Sequence, residues 1–199
     1  MSKKTKDTLT GGTGDVNPQY AGISVVQTAT NIAATAPIVL PVLPSLNGSQ
    51  TTAQVVEVLK VWFDLGADPT VSTTASYTNN QCILAFNSGT AALIVNAPAA
   101  TIANPLILAM ASEIVQTEAV ATAFGGGGYA YQAADIQCVD LTDGAGHGVL
   151  VATPTLWFGF NTLGWPAGGL GAGACRILYR VKKVSLAEYI GIIQQQSGP

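Results

Sequence analysis

The segment that most constrains the fold is residues 174–184, ACRILYRVKKV, in which apolar and polar side chains alternate with one interruption. A period of two is typical of a β-strand with one face in a core and the other face outside it. We predict that Arg176, Arg180 and Lys182 share the outer face, with Leu178 among them. The residues predicted to face the core are Cys175, Ile177, Tyr179 and Val181.

Two helices are predicted beside the strands. Ser185 and Glu188 have the S-x-x-E spacing of a capping box, which predicts a short helix that ends near Gln194. Asn104 and Pro105 are a good N-cap and first helical residue, and they predict a second helix over residues 105–118. The apolar residues at helical spacing in that segment are Ile107, Met110, Ala111 and Ile114.

Strand-like segments recur through the rest of the chain. In residues 53–65, AQVVEVLKVWFDL, periodicity fits a helix as well as a strand, and the valine content and following turn favour a strand in which Glu57 is the polar exception. Residues 81–87 and 91–97, separated by Ser-Gly-Thr, predict a hairpin. The remaining predicted strands lie within residues 23–34, 37–44, 135–141, 147–153 and 155–161.

This pattern predicts the fold class. Eight or nine short strands with turn signals between them, and one or two helices, indicate an all-β sandwich of jelly-roll or Greek-key type. A length of 199 residues fits one domain. We predict a flexible N-terminal arm over residues 1–22, where no periodicity is present, and a single domain over residues 23–199.

The charge content predicts a covered surface. Only 10% of the residues are charged, against about 25% in typical soluble domains. We therefore expect that copies of the chain or another partner cover much of its surface, although a neutral Thr-, Asn-, Ser- and Gly-rich surface is the alternative. No apolar run approaches the roughly 20 residues that span a bilayer, and the N-terminus has no signal-peptide core. We expect a protein that acts in the cytoplasm or nucleus of a host, without a membrane.

The sequence predicts neither an enzyme nor a metal or cofactor site. The single histidine, His147, lies in the Gly-rich stretch DGAGHG close to Asp140 and Asp143, but no GxSxG elbow accompanies it and a turn explains the stretch. The EF-hand calcium pattern is absent as well. Three widely spaced cysteines in apolar contexts indicate small buried residues. They are Cys82, Cys138 and Cys175.

Basic and aromatic residues are the candidates for binding. The basic face of the closing strand has three interpretations: contact with nucleic acid, contact with an acidic edge of a neighbouring subunit, or a solvated strand face. The N-terminal lysines either contact phosphates or serve a solubilising or strapping arm. The nucleic-acid candidates are Lys3, Lys4, Lys6, Arg176, Arg180, Lys182 and Lys183. Trp165, between Gly and Pro, is the preferred interface anchor over Trp157, Phe158 and Phe160, some of which are expected in the core.

Three separated blocks carry a resemblance to a known family. They are GTGDVNPQY, QVVEVLKVWFDL and the closing GVLVATPTLWFGFN…CRILYRVKKVSLAEYIGIIQQQ, about half of the chain. Together they resemble coat proteins of small icosahedral viruses, and most closely the single-jelly-roll capsid proteins of circular single-stranded DNA viruses, including smacovirus-like ones.

The resemblance implies an eight-stranded jelly roll, many copies in a closed shell, a packaged genome and a location in the virion. The chain departs from the family in lacking a long Arg-rich N-terminal arm, which favours packaging by other means or beside a second structural protein. The competing classes are a carbohydrate- or ligand-binding β-sandwich and an archaeal or bacterial phage decoration protein.

Overall fold

A computed structural model describes residues 18–28, 32–41, 51–67, 76–92, 104–118, 129–131, 136–163 and 171–196. The strands are β1 (Gln19–Val26), β2 (Ala34–Val39), β3 (Thr52–Ala67), β4 (Ser76–Ala85), β5 (Ile107–Glu118), β6 (Tyr129–Tyr131), β7 (Ile136–Asp140), β8 (Val149–Val151), β9 (Thr155–Leu163) and β10 (Gly171–Ser185). The helices are α1 (Ser88–Ala92) and α2 (Leu186–Gln196).

The strands form two antiparallel sheets with the connectivity of a jelly roll. The first sheet has the order β1-β10-β3-β7, with β8 also paired to β3, and the second has the order β2-β9-β4-β5-β6. The chain crosses repeatedly between the two sheets, so sequence neighbours such as β1 and β2 lie in different layers. The predicted all-β jelly-roll sandwich is confirmed.

The core lies between the sheets and is built from alternate residues of their strands. Phe63 of the first sheet stacks on Phe158 of the second, with ring centroids 6.3 Å apart. Leu84 and Ile177 are fully buried beside them. The inner face predicted for the closing strand is correct, since Cys175, Ile177 and Tyr179 are buried and Val181 is half-buried.

A β-bulge in β3 changes the residues that face the core. Lys60 is opposite Leu178 of β10, but the next pair is Val58 with Tyr179, so Leu59 is an extra residue. Core-facing positions before the bulge are therefore even-numbered, and those after it are odd-numbered. The core residues of β3 are Val56, Val58, Val61, Phe63 and Leu65.

Helix α2 covers one end of the outer face of the first sheet. Val55 and Val184 point away from the main core and form a small second core with Ile192 of the helix. Ser185 Oγ accepts a hydrogen bond from Glu188 N at 3.2 Å, which confirms the predicted N-cap. The helix continues to Gln196, two residues past the predicted end.

The helix predicted over residues 105–118 is wrong, because these residues form strand β5 between β4 and β6. Asn104 does not cap a helix. Its side-chain oxygen accepts a hydrogen bond from Leu106 N at 2.9 Å and its carbonyl accepts one from Ile107 N, so the Asn-Pro pair forms a turn into the strand. The spacing of the apolar residues fits both a helix and a strand, and pairing with β4 makes this segment a strand.

The hairpin predicted for residues 81–87 and 91–97 is also wrong. Strand β4 pairs with β5 and β9 instead, and the chain then enters helix α1. Asn87 Oδ1 accepts a hydrogen bond from Thr90 N at 2.7 Å and caps this helical turn. Residues 93–97 lie outside the described residues.

Strand β1 begins at Gln19, inside the segment predicted as an arm over residues 1–22. Residues 19–22 pair with β10 and belong to the sandwich, while residues 1–17 lie outside the described part of the chain. In the described ranges, no helix has the length and apolar character needed to cross a membrane.

Candidate interaction face on the first sheet

The predicted basic residues of β10 lie on two different faces. We call the side of the first sheet that points away from the core the outer face. Arg176, Arg180 and Lys182 alternate onto this face, as predicted. Lys183 alternates onto the opposite side and is exposed at the end of the strand.

A buried carboxylate binds two of these cations. Glu57 lies opposite Arg180 in the β3–β10 ladder, and its side chain is 1% exposed. Arg180 Nε donates a hydrogen bond to Glu57 Oε2, and Lys182 Nζ lies 3.4 Å from Glu57 Oε1. Two positive charges of β10 thus contact one buried negative charge.

Opposing effects act on the pKa of Glu57. Burial is the largest and raises it, but hydrogen bonds from Arg180 and Gly148 and the charges of Arg180 and Lys182 together lower the pKa below its usual value of 4.5. The carboxylate is therefore ionised at neutral pH. A buried charge of this kind is tolerated because it is paired and hydrogen-bonded.

The β7–β8 loop, residues 141–148, closes over this carboxylate. Gly148 N donates to Glu57 Oε1 at 3.1 Å, and Arg180 Nη2 donates to the Gly146 carbonyl at 3.2 Å. Asp143 Oδ1 accepts hydrogen bonds from two backbone N–H groups of the loop, which holds the turn together. The pKa of Asp143 is lowered chiefly by the hydrogen bond from His147 N.

An aromatic patch occupies the other end of the outer face. The rings of Tyr20 and Trp62 are 6.0 Å apart and tilted by 45°, and the Arg176 guanidinium lies 4.4 Å from the centre of the Tyr20 ring. This is the geometry of a cation–π contact. Asp64 and Ile136 also line the shallow depression of ≈ 320 Å³ at this patch.

The other predicted binding residues are distributed as follows. Lys3, Lys4, Lys6 and Trp165 lie outside the described residues. Phe158 and Phe160 are fully buried core residues. Trp157 is half-buried on the far side of the second sheet against Ile83, Ala85 and Ala91.

The residues considered for chemistry have structural contacts. His147 Nδ1 is 3.9 Å from Glu57 Oε1, and Asp140 pairs with Lys60 at 2.9 Å. Hydrogen bonds from Thr142 and Lys60 lower the pKa of Asp140 to about 2. Cys82 and Cys175 are buried and Cys138 is exposed. Within the described ranges, no group of three or more potential metal ligands is present.

Two features of this face were missed from the sequence. Glu57 was noted as the one polar interruption in its strand, but its partners depend on the register between β3 and β10. The signal available was a lone carboxylate in an apolar strand of a chain with a basic strand elsewhere. Tyr20 was assigned to the arm, which concealed its contact with Trp62.

No known family model matches the chain, and no curated protein matches its sequence. Solved structures with a similar fold include VP1 capsid proteins of polyomaviruses. Human polyomavirus 12 VP1, solved with 3'-sialyllactosamine, is 12% identical over 84% of this chain and 100% of that chain, with a TM-score of 0.43.

Two further VP1 structures have the same degree of similarity. That of the trichodysplasia spinulosa-associated polyomavirus with 3'-sialyllactose is 11% identical over 83% of this chain and 96% of that chain, with a TM-score of 0.47. The unassembled Merkel cell polyomavirus VP1 pentamer is 11% identical over 89% of this chain and 98% of that chain, with a TM-score of 0.45. The resemblance to circular single-stranded DNA virus coat proteins stays a prediction from the sequence.

Proposed function

We propose that this chain is a structural capsid protein that assembles with copies of itself into a closed icosahedral shell around a viral genome. The observation that carries the proposal is a jelly-roll sandwich with large apolar side chains exposed on several strands, in a chain with few charges. Such side chains favour burial against another subunit. They are Tyr20, Val26, Val39 and Ile136.

Closed symmetry is the usual way in which repeated contacts between identical subunits terminate. Two paired sheets offer rigid surfaces for such contacts. The proposal makes the protein a component of the virion and gives it a structural role instead of an enzymatic one. A second structural protein fits the low basic content of the N-terminal segment.

The outer face of the first sheet is proposed to contact either the packaged nucleic acid or a neighbouring subunit. Supporting this, Arg176, Arg180 and Lys182 alternate onto this one face of β10. Carboxylates accompany these cations on the face, and the formal net charge of the whole chain is −3, which favours weak and local contact with phosphates. Lys3, Lys4, Lys6 and Lys183 remain candidates for the same role.

Size-exclusion chromatography followed by negative-stain microscopy of the purified full chain tests the proposal. We expect uniform closed shells, and a stable monomer under all assembly conditions would contradict it. Trp165→Ala is expected to reduce particle yield while leaving the thermal unfolding of the subunit unchanged. An unchanged particle yield would contradict a role for Trp165 in the interface and would leave the proposal of a shell intact.

The depression at Tyr20 and Trp62 supports a second candidate, a carbohydrate- or ligand-binding sandwich. The exposed Tyr20 ring and the half-buried Trp62 ring, beside charged Arg176 and Asp64, offer both stacking and hydrogen bonding to a small polar ligand. Binding to a glycan panel that Trp62→Ala abolishes, by a chain that stays monomeric, would favour this function. No binding, together with shells, would favour the capsid.

A further inference from the structure

Strand β1 is an edge strand without the usual protection against pairing. Within the described residues it pairs with β10 alone, in an unbroken register from Gln19 opposite Tyr179 to Val26 opposite Ala172. Its eight residues, QYAGISVV, include no charge and no proline. Charges, prolines, bulges and short length are the features by which sheet edges avoid pairing with another chain.

The other described sheet edges carry such features. Strand β2 contains Pro37, which lacks a backbone donor. Strand β7 has five residues and ends in the charged Asp140, and β6 and β8 have three residues each. Among these edges, β1 is therefore the one whose sequence is suited to receiving another strand.

The side chains of β1 are complementary to themselves in an antiparallel arrangement. Directly opposed residues of antiparallel strands point to the same face. If two β1 strands meet about a two-fold axis at Ile23, Tyr20 lies opposite Val26 of the second copy, and Gly22 lies opposite Ser24. Tyr20 and Val26 are 56% and 61% exposed in the single chain.

This register is favoured over its neighbour. An axis at Gly22 would place Tyr20 opposite Ser24 and leave Val26 beyond the pair. The axis at Ile23 instead forms the Tyr–Val contact twice, once on each side of the axis, and aromatic–β-branched pairs stabilise sheets. On the inner side it joins Ile23 to Ile23 and Ala21 to Val25, which are all apolar.

We propose that two copies of this chain pair through antiparallel β1 strands about a two-fold axis at Ile23, and so join their first sheets into one continuous sheet. The contact is isologous, because the same strand serves on both sides. It goes beyond the proposed function, since two subunits can pair in this way whether or not they go on to form a shell.

A pair of matched lysine substitutions tests the contact. Val26→Lys places a charge on the proposed contact, whereas Val39→Lys makes the same change at a 71% exposed position of edge strand β2. By sedimentation analysis of the full chain, we expect the dissociation constant of the dimer to rise about tenfold for Val26→Lys and to be unchanged for Val39→Lys. Equal effects of the two variants, with equal thermal unfolding, would overturn the proposal.

Cysteine cross-linking tests the register in free subunits and in shells. In a Cys138→Ser background, Tyr20→Cys with Val26→Cys should yield a covalent dimer on mild oxidation, whereas Tyr20→Cys with Ser24→Cys should not. Burial raises the pKa of the Cys82 and Cys175 thiols, so neither is expected to compete.

The outcomes separate this proposal from the capsid function. If shells form but the Tyr20→Cys and Val26→Cys pair gives no cross-link in them, the strand pairing is overturned and the capsid proposal stays intact. Cross-linked dimers that never form shells support the pairing and contradict the capsid proposal. The full chain could also be monomeric and dimerise only after deletion of residues 1–17. In that case its own N-terminal segment covers the edge of β1, and this result would overturn the proposed pairing.

Discussion

Arg180 and Glu57 lie directly opposite each other on β10 and β3, and the arginine Nε donates a hydrogen bond to the glutamate carboxylate. The other carboxylate oxygen accepts a hydrogen bond from Gly148 N. One buried charge therefore connects the two central strands of the first sheet to the β7–β8 loop. Its energetic role can be tested separately from any role in assembly.

Glu57→Gln should destabilise the fold by about 2 kcal/mol, because the amide keeps the shape but removes the charge that binds Arg180 and Lys182. Urea unfolding followed by tryptophan fluorescence measures this change. Asp140→Asn is the matched control: it breaks the Lys60 ion pair, which is exposed to solvent, and should change the midpoint little. Equal effects of the two substitutions would contradict a special role for Glu57.

The stability that Glu57 contributes should depend on pH in a defined direction. Burial raises its pKa, but the Arg180 and Gly148 hydrogen bonds and the nearby charges lower the pKa below 4.5 overall. Because the native pKa is below the unfolded one, the contribution is complete above about pH 4.5 and is lost as the pH falls through the native value. The stability difference between wild type and Glu57→Gln should therefore shrink between about pH 7 and about pH 3. A constant difference would be inconsistent with an ionised Glu57.

Gly148→Ala should destabilise the fold by about 2 kcal/mol. A Cβ atom at this position would overlap the Val58 carbonyl oxygen, so the loop could not approach the β3 bulge. Gly191→Ala in helix α2 is the control, since a Cβ there has no atom within 4 Å, and alanine is the better helix former. Thermal unfolding should show a lower midpoint temperature for Gly148→Ala and no decrease for Gly191→Ala.

Gln196→Leu should destabilise the fold by about 2 kcal/mol because it leaves two backbone groups without their partner. The Gln196 amide donates to the Leu150 carbonyl at 2.6 Å and accepts from Ala152 N at 3.0 Å. Gln195→Leu changes an exposed neighbour in the same helix and is expected to be nearly neutral. Hydrogen exchange of the Ala152 amide should rise in the first variant alone.

The sequence predicted those strands whose burial alternates regularly. In β10, one face meets the core and the other does not, so a period of two identifies the strand and its orientation. In β5, residues on both sides are partly covered, and the apolar spacing does not distinguish strand from helix. Asn104-Pro105 then misled the prediction, because the same pair begins turns and helices.

The site was less predictable than the fold because it depends on register. Glu57 and Arg180 are 123 residues apart in the chain, and the bulge at Leu59 decides which β3 residue lies opposite each basic residue. No local pattern contains this information. The same reasoning applies to Tyr20 and Trp62, which meet because β1 and β3 both flank β10.

The extra residue at Leu59 joins two stretches of β3 whose core-facing positions differ in parity. Deleting one residue between Val58 and Val61 would restore simple alternation through the strand. Val58 and Val61 would then be separated by a single residue, so Val56, Val58, Val61 and Phe63 would keep their core positions and Glu57 would stay on the outer face. During divergence of this protein, we therefore expect the loss of one residue to be tolerated at the bulge and to be excluded from the rest of β3, where it would exchange the two faces of the strand.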